Sequence, residues 1–299
     1  MGKLFKNLKP YWKSVLVIVV LLVVQAFCDL SLPQYTSDII DTGIQNSGVE
    51  HILPEKITAE EFQNAQLFMT ADEQKTWQNA YSGDGDILDR NDFSKKDLEQ
   101  FDSDLIVPIL LNYQMSMMSE DSFREMLMQQ QQGNPQVAEQ LKTMSIADIG
   151  KSMGVTLTPF ERIEEDDDGN KTTVTCVDVR PLFAAMQEAG QFTEETRSEM
   201  RSQLETMLDT MGESLVQSMG IAYAVQCDQA AGLDTDKIQT NYLWAAGGKM
   251  IAIAFAMMAV TICVSYVAAR VGAGVGRDLR KKVFSRVMQF SNAEMDQFS

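Results

Sequence analysis

The 299-residue chain carries 42 acidic and 25 basic side chains, a formal net charge of −17, with one His and four Cys. So acidic a balance argues against a nucleic-acid binder, which needs clustered Lys and Arg against phosphate. A mean hydropathy of −0.14 would also argue against a membrane protein, but the charge is unevenly spread. Residues 50–240 hold 36 of the 42 acids and 14 of the 25 bases, a local net charge of −22, while the two flanks together carry +5.

In chain order, residues 1–13 carry the basic Lys3, Lys6, Lys9 and Lys13 and an interfacial aromatic pair, Tyr11 and Trp12. Residues 14–44 read as a first transmembrane helix and its outer exit. Val15 to Cys28 is apolar apart from Gln25, but rises only about 21 Å, short of the roughly 30 Å hydrocarbon core. The apolar pattern resumes at Leu30, Leu32, Ile39 and Ile40, so the span is expected to reach about residue 40, with a kink at Pro33. A cleaved signal peptide would need a small-x-small site after Cys28, where Asp29-Leu30-Ser31-Leu32-Pro33 stands instead.

Residues 45–240 form the acidic insert, expected to be mostly helical. Thr58-x-x-Glu61, Thr70-x-x-Glu73, Ser94-x-x-Asp97 and Ser145-x-x-Asp148 are capping-box starts. Asn134-Pro135 is an N-cap pair ahead of Gln136–Met144. Met200, Leu204, Met207, Leu208, Met211, Leu215 and Met219 predict one long helix from Glu194 to about Cys227. One small β-hairpin is expected, Phe160–Glu165 against Thr172–Val179 around Asp168-Gly169-Asn170. Residues 241–270 form the second transmembrane helix, since Met250 to Ala269 is uncharged and long enough to span. Residues 271–299 extend it as a basic helix. The fold class is therefore a mainly α membrane protein. Lys and Arg flank the inner ends of both spans, so both termini are expected in the cytoplasm and residues of about 45–240 outside.

No catalytic, cofactor or metal constellation stands out. His51 has no partner at metal or triad spacing. Glu164-Glu165-Asp166-Asp167-Asp168-Gly169 imitates a calcium loop, but the twelfth position is Thr175 rather than Glu. Thirteen of the 19 methionines lie in the insert. Copper(I) binding is one reading of them and adaptable core residues the other. Cys176 and Cys227, both in the part assigned outside the cell, are a candidate disulfide. In the spans, Asp29 is the leading candidate for a substrate pathway, because an intramembrane acid is expensive. Its alternative is a wet helix break near the outer interface. Gln25, Tyr35 and Tyr266 are further pathway candidates, with packing or interface anchoring as the competing reading.

Gly272-Ala273-Gly274-Val275-Gly276 lacks the ending of a phosphate loop and reads as small residues that permit close helix packing. The run from Gly276-Arg277-Asp278-Leu279-Arg280 through Phe284-Ser285 and Phe290-Ser291 to Glu294 and Phe298-Ser299 resembles the segment after the second transmembrane helix of ABC exporters of the multidrug type. Leu30-Ser31-Leu32-Pro33-Gln34-Tyr35-Thr36-Ser37-Asp38-Ile39-Ile40-Asp41 looks like their first helix and its exit, and residues 1–13 like their elbow helix. The likeness covers about residues 1–49 and 234–299. The large insert departs from typical members, whose first two helices are joined by a short external loop, and looks like that of a bacterial subset with a large external domain at this point. The resemblance implies an amino-terminal fragment of a permease, working with four further spans, a second half-transporter (identical or different) and a nucleotide-binding domain that binds ATP and Mg. It implies the lipid bilayer and an exported substrate as partners, no nucleic acid, and no enzymatic activity in these 299 residues. A two-span sensor with an external ligand domain shares the same topology. The exporter-like stretch after Ala269 weighs against it.

Overall fold

The structure is a computed structural model that describes residues 11–130, 143–165 and 171–289. The expected elbow up to Pro10, the helix after Asn134-Pro135, the hairpin turn at Asp168-Gly169-Asn170 and the motif from Phe290 onward lie outside these residues. The fold is mainly helical, and two of its helices are long and apolar enough to cross a membrane. The chain divides into two compact units, one holding the apolar helices on either side of the sequence and the other spanning Ile44–Gln239.

In the first unit, α1 runs from Trp12 to Asp38 and passes into a π-helical turn, Ile39–Gln45. The helix continues through Pro33, and the regular ladder gives way only from Ile39. The second long helix, α10, covers Thr235–Val287. Its 53 residues rise about 80 Å, more than twice a hydrocarbon core.

The central unit contains β1 (Lys56–Thr58), α2 (Ala59–Ala65), α3 (Ala71–Ala80), β2 (Tyr81–Ser82), β3 (Ile87–Arg90), α4 (Lys95–Ser116), β4 (Met118–Ser119) and α5 (Glu120–Gln130). It continues with α6 (Ile146–Ser152), β5 (Pro159–Glu165), β6 (Lys171–Val177), α7 (Arg180–Glu188), α8 (Glu194–Leu208) and α9 (Glu213–Ala230). All four expected caps form: Thr58, Thr70, Ser94 and Ser145 each accept the backbone N–H three residues on. Each satisfies a donor that the first helical turn leaves open.

Two expectations need correction. The single helix from Glu194 to Cys227 is two, α8 and α9, broken at Asp209–Gly212. The methionine spacing reads only the apolar face and runs across the turn. There the Thr210 hydroxyl turns back to the Met207 carbonyl at 2.6 Å, and Gly212 restarts the chain as an extended N-cap. The β content also exceeds one hairpin. Strands β5 and β6 do pair antiparallel, with Phe160 opposite Cys176, but β4 joins them as a third strand. A separate sheet has the order β1-β3-β2. Its strands are only two to four residues long, too short to show alternation.

Helix α4 divides the interior. Leu105 and Ile109 face a core with Ile52, Trp77, Tyr81, Ile221 and Tyr223, while Leu110, Leu111 and Met115 face another with Phe68, Phe123, Phe183, Phe192 and Leu204. Between the cores sits a buried charge. Arg180 Nη1 donates to both oxygens of Glu61 at 2.7 and 2.8 Å, and its Nε and Nη2 bind Asp178 at 3.0 and 2.8 Å. Asn112 Nδ2 and Tyr223 Oη also donate to Glu61, at 2.8 and 3.1 Å. The carboxylates outweigh the effect of burial and hold the Arg180 guanidinium firmly protonated. Removing one partner strands the other's charge in the interior, at about 3–5 kcal/mol. Glu61→Leu should therefore lower the thermal midpoint of the central unit strongly. Glu61→Leu with Arg180→Met should recover part of that loss, as read by Trp77 fluorescence.

Candidate functional site

The first unit's two apolar helices pack through a repeating seam. On α1 the partly covered side chains Ile18, Leu21, Gln25, Cys28, Leu32, Tyr35 and Ile39 alternate at spacings of three and four. On α10 the same alternation runs through Ala246, Met250, Ile253, Met257, Val260, Val264, Val267, Val271, Gly274 and Asp278. A mean spacing of 3.5 is the repeat that keeps one face of a helix on its neighbour. Small residues set both ends. A Cβ on Gly43 would fall 2.7 Å from Leu243 Cδ2, and one on Gly274 would fall 2.7 Å from Tyr11 Oη. Tyr11 Oη donates to Asp278 Oδ2 at 3.0 Å. Gly43 beside Leu243 and Tyr11 beside Gly274 make the pair antiparallel in one register along almost all of α1. The expectation of close packing in the Gly272–Gly276 stretch thus holds at Gly274.

This register sorts the four pathway candidates. Gln25 and Tyr35 lie in the seam. Asp29 and Tyr266 are exposed on its outside, and Tyr266 is level with about Val19, roughly 15 Å along the axis from Asp29. The four therefore do not form one cluster. No described residue hydrogen-bonds or ion-pairs with the Asp29 carboxylate.

The central unit brings together groups that the sequence does not pair, because their partners lie up to 172 residues apart. His51 is partnered after all: Nδ1 lies 2.7 Å from Asp102, whose other oxygen accepts the Ile52 N–H at 2.9 Å. Among the described residues no three His, Cys, Asp or Glu converge as a metal site. Cys176 and Cys227 are both buried and are not joined to each other. Cys176 sits in β6 opposite Phe160, whereas Cys227 packs with Tyr223 in the Trp77 core. Burial pushes the Cys227 thiol and the Tyr81 and Tyr223 phenols well up. A reactive thiolate is thereby disfavoured at Cys227.

Two acids differ in how burial is met. Burial works to raise Glu73, but two Arg201 contacts of 2.6 and 2.7 Å and the Thr70 N–H at 2.8 Å hold it below the usual carboxylate range. Asp228 is fully buried. Its Oδ1 accepts the Lys56 N–H at 2.8 Å, no described residue bonds Oδ2, and burial pushes its carboxyl up to about 6.

Compared with known protein families, with curated proteins and with solved structures, the chain matches none.

The helix pair and Asp228 each yield a measurable expectation. Gly274→Leu overfills the Tyr11 contact and should cost about 1–3 kcal/mol in detergent-driven unfolding of the apolar pair; an unchanged midpoint would refute the contact. Because Asp228 binds its proton more tightly folded than unfolded, it subtracts stability above pH 6, and the penalty fades as the pH falls toward 4. The cost at neutral pH is roughly 3 kcal/mol. Asp228→Asn should raise the melting temperature at pH 7.5 more than at pH 5, and equal effects at both would discard the assignment.

Proposed function

We propose that the chain is the amino-terminal part of the permease of an ATP-driven ABC exporter. It crosses the membrane inward to outward over about residues 14–44 and returns over 241–270. Residues of about 45–240 then lie outside the cell, with both ends in the cytoplasm. Asp29 carries the reading. It is an acid on the outer flank of an apolar helix pair, without a partner among the described residues. Against lipid such a side chain costs at least about 2.5–3.5 kcal/mol. That flank therefore calls for further helices or a water-lined cavity, and two helices alone enclose neither. A permease of several spans in each of two halves supplies both.

The reach of α10 supports the same reading. Residues 270–287 continue the helix about 27 Å past the apolar run and carry Arg270, Arg277, Arg280, Lys281, Lys282 and Arg286. A rigid basic extension of that length can carry motion from a nucleotide-binding domain to the membrane. ATP and Mg would be held by that domain, since the 299 residues contain no phosphate-loop sequence. Within this chain, Gln25 and Tyr35 hold the α1–α10 seam, and Asp29 and Tyr266 face outward, where neighbouring spans complete a path.

Affinity purification of the chain from its source membranes should co-purify vanadate-sensitive ATPase activity. In the assembled transporter, Asp29→Asn should slow ATP-dependent ethidium uptake into inverted vesicles several-fold. Stable ligand-responsive dimers without ATPase activity would instead establish a two-span receptor.

A further inference from the structure

The central unit contains a partly open cavity of about 760 Å³ between α4, α5, α7 and α8. Six methionines line it: Met115, Met126, Met153, Met186, Met200 and Met207. Leu111, Leu127, Leu182, Phe183 and Leu204 form much of its remaining wall, so it opens directly into one of the two cores. A volume of this size falls within the range that receives drug-sized ligands. Methionine walls reshape around apolar bodies because the side chain is unbranched and its thioether polarisable.

The charge of the lining is the more discriminating observation. The insert carries a net −22, yet among the described residues no Asp, Glu, Lys, Arg or His lines this cavity. Its polar groups are Gln114, Gln191 and Gln203 amides and the Thr196 hydroxyl, which can both donate and accept without favouring either sign of charge. An anion would have to cross the acidic surface and then lose its water with no cation to meet it. A cation would find no carboxylate inside. The methionines are thus more than filler of a closed core, and they gather at one cleft without the His or Cys of a metal site.

We infer that this cleft binds an uncharged apolar small molecule bearing one or two amide- or hydroxyl-like groups. The inference does not depend on the exporter reading, because a receptor could use the same cleft.

The full chain in lipid nanodiscs, labelled at the methionine methyl carbons, provides the test by NMR. N-phenyl-1-naphthylamine serves as the neutral probe and 8-anilinonaphthalene-1-sulfonate as its charged analogue. The neutral probe should shift the Met115, Met186 and Met200 signals saturably, and the sulfonate should bind at least tenfold more weakly. Ala185→Trp, which fills the cavity wall, should weaken the neutral probe at least tenfold. Met200→Lys, at a partly buried position packed beside the core, places a charge in the cleft and should weaken the neutral probe too, while the methionine signals outside the cleft keep their native positions. Shifts confined to Met250, Met257 and Met258 of α10 would mean partition into lipid alone and would overturn the site. So would equal binding of the sulfonate. Protein-concentration-dependent shifts of the cleft methionines, with no response to the probe, would make it a protein interface and likewise overturn the assignment.

Discussion

A guanidinium keeps its proton at any pH at which this fold survives, so a buried arginine dictates its surroundings. Arg180 is 8% exposed, and it must collect enough carboxylate to offset its lost hydration. It takes Asp178 from its own loop and Glu61 from α2. Glu61 in turn draws Asn112 of α4 and Tyr223 of α9. One charge thereby fixes the spacing of four helices and of the two cores on either side of α4. Two of the four capped starts lack the reciprocal bond: Glu61 does not bind the Thr58 N–H, nor Asp148 the Ser145 N–H, as Glu73 binds that of Thr70. At Glu61 the carboxylate is committed to Arg180.

Legibility in the sequence follows the range of the forces involved. Caps depend on residues three apart, and Thr58, Thr70, Ser94 and Ser145 are plain to read. The apolar helices follow from twenty-residue composition, and the hairpin from a turn between β-rich runs. The break at Asp209–Gly212 hides because a methionine stripe continues on the far side of it. The α1–α10 seam hides for a different reason: both helices are apolar all round, so a 3.5-residue repeat stands out only once coverage distinguishes one face. Strands β1 to β4 are too short for period-two alternation. The Arg180 cluster and the His51–Asp102 pair bridge 50 residues or more, and a single sequence carries no signal of such distant partners.

The candidate membrane residues divide along the same line. Gln25 and Tyr35 stand out in the sequence by polarity, and polarity does not reveal a face. The register puts them between the helices, where a side-chain amide and a phenol can pack and hydrogen-bond at close range. The antiparallel pairing separates Tyr266 from Asp29 along the axis. Gly274 was read from its size, and size decides how near Tyr11 can come.

This chain deals with buried ionisable groups in two ways. It pairs them, as in Glu61–Arg180, Glu73–Arg201 and His51–Asp102, or it raises the carboxyl toward neutrality, as at Asp228. The methionine cleft adds a third solution, since none of the described residues that line it is charged. Asp29 fits none of these within the described residues, since it is neither paired nor enclosed. In water that would be unremarkable. On an apolar helix of membrane-spanning length it is a cost of several kcal/mol, large against the 5–15 kcal/mol that holds a typical domain together. In a membrane, the group that meets Asp29 is best sought on a neighbouring helix or in water, and the proposed permease is a reading that supplies either one.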